Sequence, residues 1–230
     1  MAKKANNTEE KIVAVEEVLS RSEQFIEKNQ KLIMIVIAAI VVIVLGIFGV
    51  KKYYIAPKEA EAQGQMFAAQ QYFEKDSINK AINGDGNFLG FEAIADEYSI
   101  TNAGNLAHYY LGICYLRKGQ YEKAIDNLES FKGSDKIIKP LSLSATGDAY
   151  MEMGDKEKAV KYYLKAADKS KNLFTSPQFL MKAGLTYEML GDWENALKTY
   201  EKIQKDFYKS NEARQMDKYI AKAKGMLKNK

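Results

Sequence analysis

The sequence predicts an all-α protein: a single N-terminal transmembrane helix, then an α-solenoid of three clear two-helix repeats, with one degenerate repeat before them and a capping helix after. Three observations predict it. Pairs of glycines recur at spacings of 35 and 37 residues, the period of a stacked helical hairpin. Residues 32–50 carry no charged or strongly polar side chain. Only three prolines occur in 230 residues, against abundant Ala, Lys, Glu and Leu, a composition that suits helix throughout.

The repeated phrase reads Gly119-Gln120-Tyr121-Glu122-Lys123-Ala124-Ile125, then Gly154-Asp155-Lys156-Glu157-Lys158-Ala159-Val160, then Gly191-Asp192-Trp193-Glu194-Asn195-Ala196-Leu197. Seven residues before each opening glycine stands another, at Gly112, Gly147 and Gly184, and three residues after that a tyrosine, at Tyr115, Tyr150 and Tyr187. A glycine inside a helix costs roughly 1 kcal/mol against alanine, so close approach of a partner helix is the expected return. Ala124, Ala159 and Ala196 supply the matching small surface. Gly119, Gly154 and Gly191 stand where the first helix must stop, and glycine takes the left-handed conformation there at little cost. Asp155 and Asp192 are placed to cap the second helix, and Glu122, Glu157 and Glu194 suit the positive end of its dipole.

In chain order, residues 1–31 form a tail. Within it Ile12, Val15, Leu19 and Ile26 fall at near-helical spacing over 9–29, an amphipathic segment that can lie on a membrane, dock on a partner or simply lead into the next helix. Leu32 to Val50 follows, roughly 28 Å of helix and close to the bilayer hydrocarbon thickness, flanked by Lys31 on one side and Lys51, Lys52, Tyr53 and Tyr54 on the other. Thirty-one residues precede it and no small-x-small cleavage site follows, so it reads as an uncleaved signal anchor. Basic residues near the span tie, with Arg21, Lys28 and Lys31 against Lys51, Lys52 and Lys58. The short basic tail favours a cytoplasmic N-terminus with the repeats outside.

A linker is expected over 51–58 and a degenerate repeat over 59–104. Glu59 to Ile82 reads as one long helix, Asn83-Gly84-Asp85-Gly86-Asn87 as a turn, and Phe88 to Tyr98 as a second helix. Residues 105–210 hold the three clear repeats. Over 211–230, Ser210 can cap a last helix whose Ala213, Met216, Ile220 and Ala223 cover the final pair, as a solenoid end requires.

Several function classes are disfavoured. A net charge of +4 is small for a nucleic-acid surface. Cys114 and His108 are the only residues of their types and lie about 120° from alignment on one helix, so they make no catalytic pair or zinc site. The 84–90 loop has its third glycine one place late for a dinucleotide fingerprint. As a calcium loop it puts Leu89 at a ligand position and Asp96 at the place of the bidentate glutamate. No cofactor, metal, small-molecule substrate or enzymatic activity is expected.

The small, tyrosine, glycine and alanine positions over about 105–138, 140–173 and 177–210 resemble tetratricopeptide repeats (TPR), with His108 standing where that family has a large residue. The resemblance implies a groove lined by first helices. Its candidates are Leu106, Tyr109, Ile113, Leu116 and Arg117 in the first repeat. The second offers Leu141, Ser144, Asp148, Met151 and Glu152, and the third Gln178, Met181, Leu185, Glu188 and Met189. TPR proteins that clamp a C-terminal carboxylate use Lys and Asn at several of these places, which here are Tyr109, Ile113, Ser144, Asp148, Met181 and Leu185. A groove with three methionines suits an apolar or amphipathic segment instead. A single anchor before a short TPR domain further resembles the YfgM-like ancillary subunits of the SecYEG translocon. That resemblance implies a domain on the periplasmic side of the inner (plasma) membrane, meeting exported chains, chaperones or the translocon. The other reading from the sequence is a scaffold or assembly subunit of a larger membrane complex.

Overall fold

The computed structural model describes residues 28–133 and 135–229, all helix and connecting turns with no strand among them. The amphipathic segment expected at 9–29 lies outside the described residues except for its last two positions. The chain divides into two units, the first ending at Pro57 and the second beginning at Lys58.

In the first unit, residues 28–50 form helix α1. Its apolar side chains, among them Leu32, Ile35, Ile43 and Phe48, are exposed around the helix. Among the described residues, the N-terminal helix is the one long and apolar enough to cross a membrane. The expected linker is helical instead: Lys51–Ile55 form a π-turn, and α2 begins at Ala56 (Ala56–Glu74).

The second unit then runs through α3 (Ile78–Asn83), α4 (Phe91–Glu97), α5 (Asn102–Arg117), α6 (Tyr121–Ser130), α7 (Ile138–Glu152), α8 (Lys156–Ser170), α9 (Ser176–Met189), α10 (Trp193–Asp206), a 3-10 turn (Glu212–Gln215) and α11 (Met216–Lys228). From α4 onward each helix packs on the next, so the pairs α5/α6, α7/α8 and α9/α10 are three stacked hairpins.

The hairpins close as the glycine pattern predicts. A Cβ on Gly112 would lie 2.5 Å from Leu128 Cγ, one on Gly147 2.6 Å from Tyr163 Cε1, and one on Gly184 2.4 Å from Tyr200 Cε1. Each glycine therefore admits a large residue sixteen places later on the facing helix. Ala124, Ala159 and Ala196 are fully buried. The turn glycines take φ of +70°, +81° and +71° at Gly119, Gly154 and Gly191. Asp155 accepts a hydrogen bond from the Lys158 amide at 3.0 Å and Asp192 one from Asn195 at 3.1 Å, while Gln120 makes no such cap.

The helix expected over Glu59–Ile82 is two helices. Asp76 adopts φ +55°, a conformation that a short polar side chain tolerates. The Ser77 amide donates back to the Tyr72 carbonyl at 2.8 Å. The break turns Ala81 and Ile82 into the core beside Phe91 and Ile94. It is tied to the end of α5 by Arg117–Asp76 at 3.3 Å and Lys118–Asn79 at 2.7 Å. The second helix expected from Phe88 starts only at Phe91, because Asp85 takes the amides of Asn87 (2.9 Å) and Phe88 (2.8 Å) into a turn. Tyr72 donates its hydroxyl to the same carboxylate at 2.6 Å. Those bonds hold the Asp85 carboxyl below its ordinary range. The loop is thus an inter-helix turn held by its own amides. At the other end Ser210 Oγ accepts from the Ala213 amide at 3.2 Å, and Met216, Ile220 and Ala223 of α11 are buried, which closes the last hairpin.

Candidate partner-binding face

Helices α7, α9 and α11 are joined side by side through their side chains and α5 lies against α7, and this row of helices is the face on which the candidate residues lie. Thr186 of α9 donates to Met151 Sδ of α7 at 3.7 Å. Lys182 of α9 reaches both Asp148 oxygens of α7, at 2.8 and 2.7 Å, and Ser144 Oγ at 3.4 Å. Lys222 of α11 pairs with Glu188 of α9.

Those bonds also reach the second helices. Tyr163 of α8 donates its hydroxyl to Asp148 at 2.7 Å, and Tyr200 of α10 donates to Glu188 at 3.1 Å. Burial, followed by the neighbouring carboxylate, raises both phenols above their ordinary value. The Lys182 ammonium lies 5.5 Å from the centre of the Tyr163 ring, and Lys222 lies 5.5 Å from that of Trp193. The face thus carries two clusters, Asp148–Lys182–Tyr163 and Glu188–Lys222–Tyr200, in which acid and base neutralise each other.

The candidates divide by environment. Ser144 is buried. Leu106 and Leu116 pack on the core of the first hairpins, and Leu141 and Met181 on that of the last. Tyr109 is half-buried, its ring 5.5 Å from Tyr110 and 6.0 Å from Phe131. Ile113 and Leu185 are half-buried as well. Arg117 stacks 4.3 Å over Phe73. Glu152 accepts from the Tyr121 hydroxyl at 3.4 Å. Gln178 is exposed and lines a cavity with Leu173 and Phe174. Met189 is the most open apolar side chain of the set, 60% exposed.

Lys182 is the residue that sequence reasoning missed. Its signal was present: it stands where the other repeats have Tyr110 and Ala145, and Asp148 stands where they have Ile113 and Leu185. Two polar intrusions one repeat apart at apolar positions compensate each other. The lone histidine and cysteine stay apart, with His108 Nδ1 3.1 Å from Asn127 Oδ1. Cys114 is fully buried, and burial pushes its thiol up to about 12. Among the described residues no group of three acidic, His or Cys side chains could hold a metal ion.

Comparison with known proteins agrees with this geometry. Family models described as Tetratricopeptide repeat match residues 106–134 and 178–210, and a second such model matches 144–168. A TPR repeat-containing protein of Methanocaldococcus jannaschii is 32% identical over 114 residues, which is 49% of this chain and 19% of that protein. The chain therefore spans about a fifth of that relative's length. Among solved structures, the nearly identical TPR-like repeats assigned to a kinesin light chain of Podosopora anserina superpose with a TM-score of 0.56. They cover 75% of this chain and 89% of their own at 14% identity, and a single-substitution variant matches equally. The second unit is accordingly a TPR-like α-solenoid, a fold that typically serves as a non-catalytic scaffold, and its repeats mark a protein–protein interaction module.

Proposed function

We propose that the chain is a membrane-tethered interaction module that captures polypeptide or chaperone partners near a translocon or envelope complex. Residues 32–50 serve as a single-pass anchor in the inner membrane, and the repeats lie on its outer side. The observation that carries the binding reading is the charge pairing on the first-helix face. Lys182 and Lys222 are held by Asp148 and Glu188, so neither cation is presented to a partner's terminal carboxylate. What the face offers instead is methionine and aliphatic surface between neutralised pairs. Such a surface rewards burial of apolar side chains and repacks around varied shapes.

Met189 is the residue to change, because it is open and supports little of the core, whereas Tyr109, Met151 and Met181 are half-buried and serve packing as well. The test uses the full chain in detergent and, as probe, fluorescein-labelled reduced carboxymethylated α-lactalbumin, an unfolded polypeptide. Met189→Glu should weaken binding by about tenfold, the effect of one lost interface anchor. Salt should change it little, since apolar contacts are not screened. Equal binding by wild type and Met189→Glu, or binding abolished by salt, would remove the apolar-capture reading and put the scaffold reading first.

A further inference from the structure

Consecutive helices of the solenoid run antiparallel, so alternate connectors share an edge. The connectors that join one hairpin to the next, residues 98–101, 131–137, 171–175 and 207–211, each project at least one large apolar side chain into solvent, with Leu173 exposed beside Phe174 in the third. The most exposed of each are Ile100 (52% exposed), Ile137 (66%), Phe174 (81%) and Tyr208 (68%). Their spacing of 37, 37 and 34 residues follows the repeat. At least two are held in place by local bonds. Asp135 accepts the amides of Ile137 and Ile138, both at 2.7 Å, and Asn172 accepts those of Phe174 and Thr175, both at 2.8 Å. Ile137 and Phe174 are therefore presented by ordered turns, and less entropy is lost when they are buried.

Charge follows the same edge. The last three connectors hold Lys132, Lys136, Lys171 and Lys209 against the single acid Asp135, a net +1 in each. The opposite edge carries the tight glycine turns Lys118-Gly119-Gln120, Met153-Gly154-Asp155 and Leu190-Gly191-Asp192, one basic and two acidic. The connector edge is thus the more apolar and the more basic of the two.

We infer that this connector edge docks on the surface of an anionic phospholipid bilayer, with Phe174 and Tyr208 entering the headgroup region and the lysines facing lipid phosphates. Aromatic tips beside lysine suit the membrane interface, and basic residues are drawn to an anionic leaflet. The inference rests on the reading of 32–50 as an anchor, which keeps lipid always within reach and makes docking an intramolecular step.

The test places an environment-sensitive fluorophore on Leu173→Cys, or on Met153→Cys at the opposite edge, in the full chain. The protein is held at one copy per nanodisc, in phosphatidylcholine alone or mixed with phosphatidylglycerol. Cys114 is buried and stays unlabelled. On anionic discs the Leu173 probe should move to the blue and be quenched by lipid-borne nitroxide, while the Met153 probe stays in water. Phe174→Glu with Tyr208→Glu, at exposed loop tips that leave helicity unchanged, should abolish the shift, and high salt should reduce it. A Leu173 probe that remains as wet as the Met153 probe on anionic discs would overturn the inference. So would a shift that appears only when two chains share a disc, which would assign the edge to a second copy. A probe on Ile40→Cys reports the anchor separately. A shift at 40 without one at 173 overturns only the docking edge, whereas a shift at 173 without one at 40 supports the edge and overturns the anchor.

Discussion

At the scale of the residue, Gly147 shows what holds a hairpin closed. Its absent Cβ would meet the Tyr163 ring at 2.6 Å and the Ala159 carbonyl at 3.2 Å. The ring cannot swing aside without breaking its hydroxyl bond to Asp148. Gly147→Ala should therefore cost about 1–3 kcal/mol by overpacking, although alanine is the better helix former. Gly64, with nothing within 4 Å of its Cβ position, is the control: Gly64→Ala should gain about 0.5–1 kcal/mol. Chemical denaturation of the two variants checks the pair, and equal stabilities would mean that the close approach does not govern the hairpin. Gly86 would be a poor control despite its open surroundings, because its φ of +92° penalises any side chain.

At the scale of the element, α8 and α10 are bound to α7 and α9 through Tyr163 and Tyr200. Burial and the nearby carboxylates raise both phenols in the folded state above the ordinary value of 10.0. A raised folded pKa means that this stabilisation is fully present below pH 10 and is lost as pH climbs through the raised value. The melting temperature should thus fall above pH 10, and Tyr200→Phe should flatten that fall while lowering stability at neutral pH by about 0.5–1.5 kcal/mol. Thermal scans from pH 8 to pH 11.5 check it; parallel curves for the two proteins would contradict it. The three clear hairpins were legible in the sequence because glycine and alanine, and in two of them a capping aspartate, are fixed by backbone geometry, which repeats. The break at Asp76 was not legible. The periodic apolar pattern continues through it, and only the tertiary pull of Ala81 and Ile82 into the core decides it. On the proposed binding face, residue type was legible and environment was not. Leu106, Leu116 and Met181 occupy first-helix positions, yet packing against the neighbouring hairpin takes up much of their surface. The pairing of Lys182 with Asp148 needed two repeats to be seen together.

At the scale of the whole molecule, the proposed anchoring of the chain through residues 32–50 carries a proposed orientation. A phosphatase that works only outside the cytoplasm, fused after Lys230 in a bacterial host, should be active. An inactive fusion beside an active cytoplasmic reporter would reverse the proposed orientation. The central claim, that partners are taken on the first-helix face by a membrane-held chain, is met most directly by site-specific photocrosslinking in native membranes. A photoreactive residue at Met189 or Gln178, exposed on α9, should give discrete adducts with polypeptide partners, and one at the exposed Lys161 of α8 should give none. Adducts of the same pattern and yield from Lys161 and Met189, or adducts from Lys161 alone, would contradict it.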